Sequence, residues 1–174
     1  MKKYFLAFLM TGVLILNSCC HKSQHVTEQG LQQKPAKIIM TGWLTPKQIF
    51  DQIKAYQSGK DQYQPNEESI KKLKSVTADI QIIVFFGTWC SDSEREVPRF
   101  LKIMELTNNS HITFKLMGLD RTKRDPDGFA EKYQIEFVPT FIVLHNNEEI
   151  GRIVETPFVS LEQDLVEIIA PVME

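Results

Sequence analysis

The sequence predicts an α/β domain, and three observations carry that prediction. Ile80 to Phe86 is an apolar, β-branched run of the kind that forms a central strand covered on both faces. A helical pattern follows it within a few residues, and the pair of alternations is repeated downstream. The chain then closes with an antiparallel hairpin and a last helix. The order β-α-β-α-β-β-α, preceded by helical segments, is that of a mixed sheet flanked by helices.

The elements follow in chain order. "LTPKQIFDQIKAY" opens a helix, with Thr45 as N-cap, Pro46 at the first helical position and Gln48 completing a capping-box pattern. "SGKDQYQPNEESIKKLKS" interrupts it at Gly59 and Pro65, after which Asn66 caps a second helix carrying Ile70 and Leu73. The central strand is next. "SEREVPRFLKIMEL" places Val97, Phe100, Leu101 and Met104 at helical spacing, with Pro98 inside the helix, where a kink is expected. Ile112 to Leu119 is a strand, "DRTKRDPDG" a polar loop without site logic of its own, and Phe129 to Tyr133 a short helix. Thr140 to Leu144 and Glu149 to Val154 flank "HNNE", in which Asn146 and Asn147 accept the positive φ that a tight hairpin turn needs. The last helix starts at Ser160, which with Gln163 makes a second capping-box pattern, and buries Leu161, Leu165, Ile168 and Ile169.

Upstream, the chain reads as export apparatus. Lys2 and Lys3 precede an apolar stretch, Tyr4 to Leu16, shorter than the ~20 residues that span a bilayer. It ends in Leu16-Asn17-Ser18-Cys19, which resembles the lipobox of bacterial lipoproteins and implies lipidation of Cys19. A plain secretory signal or an uncleaved anchor is the alternative. Cleavage before Cys19 removes two lysines and no acid, taking the net charge from -2 to -4. The expected organisation is therefore a signal peptide at 1–18, a flexible tether at 19–37, a helical extension at 38–77 and the α/β domain at 78–174. The expected location is the bacterial cell envelope, membrane-anchored through Cys19 and facing the periplasm, or exported.

Composition bounds the partners. A hydrophobic share of 43% and a charged share of 24% are those of a folded domain, and a net charge of -2 offers no electrostatic case for nucleic acid. The chain has 3 cysteines, Cys19, Cys20 and Cys90, so the domain cannot close a disulfide within itself. "CCHKSQH" gathers Cys20, His21 and His25, but in no spacing of a closed metal site. No metal or cofactor is expected.

One stretch carries chemistry. "GTWCSDSEREVPRF" places Cys90 at a strand-to-helix turn, where unsatisfied N–H groups and the positive end of the helix dipole favour a thiolate. Asp92, Glu94 and Glu96 oppose that, and Arg95 offsets one of them, so a moderately reactive thiol is expected. With Pro98 eight residues past the cysteine, with "EFVPTFIVL" and with "NNEEIG" ending in Gly151, residues 78–172 resemble the thioredoxin fold, and the Trp-Cys stretch resembles bacterial envelope proteins of thioredoxin-like type. The resemblance implies a cis bond at Val138-Pro139 beside the cysteine, backbone groups of Val138 free to pair with an extended peptide, and Trp89 as an apolar wall. It implies Cys90 as the reacting residue and Trp89, Val138 and Pro139 as substrate contacts.

Two departures from that family matter. Ser93 occupies the place of the second, resolving cysteine, and Val84 the place of a buried carboxylate that serves it. Ser93 is taken with Cys90 as a candidate catalytic residue, able to donate a hydrogen bond to a Cys90 thiolate; the alternative is a first-turn hydroxyl without chemical role. The expected function is a monothiol thiol–disulfide oxidoreductase, whose partners are cysteine-containing envelope proteins or small thiols. The alternative is a redox-inactive thioredoxin-fold binding module or chaperone.

Overall fold

The computed structural model describes residues 37–173. The signal peptide, Cys19, Cys20 and the histidines of the tether lie outside the described residues. Five strands form one sheet in the order β1-β3-β2-β4-β5. They are β1 (Gly42–Leu44), β2 (Ile80–Phe86), β3 (Ile112–Gly118), β4 (Thr140–His145) and β5 (Glu148–Val154). β2 and β3 are parallel, while β1 runs antiparallel to β3 and β4 antiparallel to both β2 and β5.

The helices are α1 (Pro46–Gln52), α2 (Lys54–Gln62), α3 (Glu67–Lys74), α4 (Ser91–Thr107), α5 (Phe129–Lys132) and α6 (Leu161–Ile169), closed by a 3-10 turn at Ala170–Val172. α4 continues across Pro98. β2 divides the core by its period of two. Ile80, Ile82, Val84 and Phe86 meet α1 to α4 and α6 through Ile49, Tyr56, Leu73, Phe100 and Leu165. Ile83 and Phe85 meet Met117, Ala130, Ile135 and Val138 on the opposite face. The chain segment carrying Val138 is thus a core element.

The starts of α1 and α3 are as expected. Thr45 and Gln48 form a reciprocal capping box, and the Asn66 side chain accepts the Ser69 N–H at 2.9 Å. Asn146 and Asn147 take φ of 53° and 66° in the β4–β5 turn. Two expectations are corrected. The first helix does not break at Gly59; it breaks at Ile53, whose extended backbone (φ -128°, ψ 92°) accompanies a side chain packed on the core. Gly59 instead lets α2 cross α4, since a Cβ there would stand 3.3 Å from Pro98 Cβ. Ser160 does not cap α6 through its side chain: its hydroxyl lies 3.0 Å from Gln163 Oε1, and Asp164 accepts the Phe158 and Val159 N–H groups upstream.

The segment 38–77 holds α1, α2 and α3 and also contributes β1 to the sheet. Gly118 permits the approach, because a Cβ there would come within 2.4 Å of the Met40 carbonyl oxygen. The approach is tied at both ends of one hydroxyl. Thr88 Oγ1 donates to the Ile38 carbonyl at 2.6 Å and accepts the Met40 N–H at 3.2 Å.

Candidate active site

β2 delivers Gly87 to Cys90 at its carboxyl end, and α4 begins there. Cys90 is the N-cap of α4 (φ -87°, ψ 133°), its N–H bonded to the Gly87 carbonyl at 2.9 Å and its carbonyl accepting the Glu94 N–H at 3.0 Å. The side chain makes no capping bond. It turns outward instead, and the thiol donates to the Val138 carbonyl oxygen at 3.2 Å. Cys90 is a partly exposed free thiol.

Trp89 stands beside it. Its Nε1–H donates to the Leu119 carbonyl at 3.0 Å, and its ring packs with the Phe85 and Met117 face of the core. Gly87 makes room for that ring, since a Cβ would lie 2.6 Å from Trp89 Cε2. On the other side, Val138-Pro139 is a cis peptide bond with Val138 only 3% exposed. Thr140 Oγ1 donates to the Phe137 carbonyl at 2.8 Å, and the Glu155 N–H to the Pro139 carbonyl at 2.7 Å. The structure therefore brings Trp89, Cys90, Val138 and Pro139 together.

Ser93 has a different partner from the one expected. It is fully buried, and its Oγ accepts the Gly87 N–H at 3.2 Å, with no hydrogen bond to Cys90. The hydroxyl stitches the first turn of α4 to the loop that carries the cysteine. Val84 is fully buried between Leu116 of β3 and Phe141 of β4, so no carboxylate approaches position 93 from β2.

The acids of α4 are paired. Asp92 bonds Arg95 at 2.8 Å, Glu94 bonds Lys37 at 2.5 Å, and Glu96, 1% exposed, bonds Arg95 at 2.6 Å and Arg99 at 3.0 Å. Two tyrosines extend this region into the interior. Burial pushes the Tyr56 hydroxyl far above the ordinary phenol range, with the Glu94 carboxylate and the Cys90 sulfur adding to it. Burial, and then its hydrogen bond to Glu162, likewise raises Tyr63. Sequence reasoning passed over Tyr56 and gave the Arg121-to-Arg124 turn no role at the site. Only the last had a visible signal, its density of charge next to the site's loops. Among the described residues no group of three or more His, Cys, Asp or Glu side chains could hold a metal.

A family model described as thioredoxin matches residues 49–166. The chain belongs to the thioredoxin family. It is 32% identical over 99 residues to thioredoxin-5 of Dictyostelium discoideum, covering 57% of this chain and 90% of that one. It is 30% identical over 105 residues to thioredoxin H9 of Arabidopsis thaliana, covering 59% of this chain and 71% of that one. A solved structure of a protein of unknown function from Pseudomonas aeruginosa shares the fold, with a TM-score of 0.51 and 17% identity over 68% of this chain and 81% of that one. The thioredoxin match begins inside α1, so the helices of the segment 38–77 fall largely within the family's span. Cys90 and a cis bond at Val138-Pro139 are present, with Ser at position 93 and Val at position 84.

Proposed function

We propose that the chain is a thiol–disulfide oxidoreductase of monothiol type, in which Cys90 forms a mixed disulfide that an external thiol releases. One observation carries the reading. A partly exposed thiol lies 3.2 Å from the Val138 carbonyl, while the neighbouring position 93 holds a fully buried hydroxyl. Membership of the thioredoxin family supports thiol–disulfide exchange as the chemistry.

The steps balance with a single nucleophile. The Cys90 thiol loses its proton and its sulfur attacks one sulfur of a disulfide, whose S–S bond breaks and whose other half leaves as a thiolate that takes up a proton. An external thiol then attacks the mixed disulfide and frees Cys90. The net change is exchange of one disulfide for another. When the Cys90 proton leaves, the Val138 carbonyl loses its donor and is free to accept an N–H from an extended substrate segment, with the Trp89 ring as wall. Ser93 holds the loop rigid and takes no part in the transfer.

The same reading puts the protein in the bacterial envelope, lipidated on Cys19, on the support of the Leu16-to-Cys19 motif and the apolar stretch before it. Its clients are then exported proteins with cysteines, or small thiols. A binding module is the second reading, favoured by Phe137, 47% exposed immediately before Val138, and by Phe158 and Val159, 97% and 63% exposed in the segment between β5 and α6. Acid quenching of cells followed by mass spectrometry separates the two. The monothiol reading expects partners disulfide-linked to Cys90 and absent from Cys90→Ser; no such adduct, together with equal recovery of partners by both proteins in a parallel pull-down without acid, replaces it by the binding module.

A further inference from the structure

The turn between β3 and α5 is built around one side chain. Asp120 Oδ1 accepts the Thr122 N–H at 2.8 Å, the Thr122 hydroxyl at 2.7 Å and the Arg124 N–H at 3.0 Å. The Asp120 N–H donates to the Arg124 carbonyl at 3.0 Å, and the Asp120 carbonyl accepts the Lys123 N–H at 2.9 Å, with Lys123 at φ 62°. Five hydrogen bonds within five residues fix where the intervening side chains start, so their placement is a property of the turn.

That placement is specific. The Arg121 guanidinium lies 5.7 Å from the centroid of the Trp89 ring, and the Lys123 ammonium 5.4 Å from the centroid of the Phe137 ring. Trp89 immediately precedes Cys90, and Phe137 immediately precedes Val138. The two cations therefore rest on the two aromatic rings that flank the thiol and its carbonyl partner. Each ring holds its cation through its quadrupole. Trp89 is itself pinned to Leu119, the residue before Asp120, so ring and cation are carried by one rigid piece of chain.

The charges around the thiol are unequally spoken for. Asp92, Glu94 and Glu96 are each neutralised by Arg95, Lys37 or Arg99. Neither Arg121 nor Lys123 has an ion pair among the described residues, although Asp125, Glu131 and Glu136, with Arg124, line the same open hollow of about 530 Å³ as Lys123. Glu155 stands on the far side of Pro139, its N–H held by the Pro139 carbonyl.

We infer that Arg121 and Lys123 are specificity residues, selecting disulfides with a carboxylate close to the reacting sulfur. The inference rests on the proposed exchange at Cys90 and names its substrate class. A bound segment pairing with Val138 would place the groups on either side of its sulfur above Trp89 and Phe137, where a carboxylate meets a cation and an ammonium meets repulsion. The bond changes are those of the exchange itself: the Cys90–sulfur bond forms, the substrate S–S bond breaks, and the leaving thiolate takes a proton. The carboxylate can belong to a small thiol of glutathione type or to an acidic segment of a protein.

The test is the rate of adduct formation at Cys90, read by intact mass on the native protein and on Arg121→Glu/Lys123→Glu. The probes are glutathione disulfide against cystamine, and symmetrical disulfides of one short peptide with either Asp or Lys beside its cysteine. The anionic-to-cationic rate ratio, each rate first divided by that of free cysteine with the same reagent, is expected to fall about tenfold or more in the double variant at low salt. It is also expected to collapse toward unity for the native protein at ~1 M salt, where the screening length is ~3 Å. A fall seen with glutathione disulfide alone assigns the small thiol, and one seen with the peptides alone assigns an acidic protein segment. A ratio unchanged by the double variant in both pairs overturns the inference while leaving exchange at Cys90 standing. Absence of any adduct at Cys90 with all four probes overturns both.

Discussion

Ser93→Cys is expected to convert a persistent mixed disulfide into one that releases itself. Position 93 is the third residue of α4 and Cys90 its N-cap. Side chains in those two places reach each other, as Thr45 and Gln48 do at the start of α1, where Thr45 Oγ1 and Gln48 Oε1 are 2.9 Å apart. A thiol introduced there would attack an adduct on Cys90 from within, at an effective concentration of mM or more, against the ~1 µM of residual thiol in a washed sample. The lifetime of a glutathione adduct in the washed sample should shorten about a thousandfold. The cost is small: sulfur is a poorer acceptor than oxygen for the Gly87 N–H, a loss of about 1 kcal/mol in stability. A folded variant that keeps its adduct as long as the native protein contradicts the account of position 93.

Phe100→Ala should be the most damaging single truncation of the core. Phe100 is fully buried in the middle of α4, edge-on to Phe114 of β3 at 5.4 Å and tilted against Phe141 of β4 at 5.4 Å. It is thus the residue through which the helix that begins at Cys90 rests on the two strands that flank β2. Removing the ring forfeits its buried area, leaves a cavity and breaks two aromatic contacts, a loss of about 3–5 kcal/mol on chemical denaturation. The fraction that remains folded should still form the adduct at Cys90, because the loop from Gly87 to Cys90 is held by its own bonds to Ser93, Leu119 and Val138. A denaturation midpoint within about 1 kcal/mol of native would contradict this placement of Phe100.

What could be read in the sequence was what local chemistry decides. Ile80 to Phe86, the helix behind Cys90, the caps at Thr45 and Asn66 and the Asn146-Asn147 turn each follow from neighbours within a few residues. What escaped depended on partners far along the chain. "GWL" becomes a strand only because Gly118 lets Met40 approach and Thr88 binds Ile38 and Met40, contacts about fifty residues or more apart. Gly59 looked like a helix break but is a crossing point, decided by Pro98. The same holds at the site. Cys90 was legible from its place at a strand-to-helix turn, whereas Trp89, Val138 and Pro139 were singled out by the resemblance to the thioredoxin fold. The Ser93 bond to Gly87 depended on how the loop folds back, and the cations over Trp89 and Phe137 on a turn organised by Asp120. Charge in a loop announces itself; what it faces does not.

On the proposed monothiol reading, Cys90 takes up a disulfide and keeps it until another thiol arrives. The most direct measurement of this follows the intact mass of the native protein after glutathione disulfide is added and all free thiol is removed. The expected result is one glutathione on Cys90, stable in the washed sample, lost at a rate proportional to added thiol, and absent at that position from Cys90→Ser. Failure of Cys90 to form the adduct, or its spontaneous loss without added thiol, would contradict it.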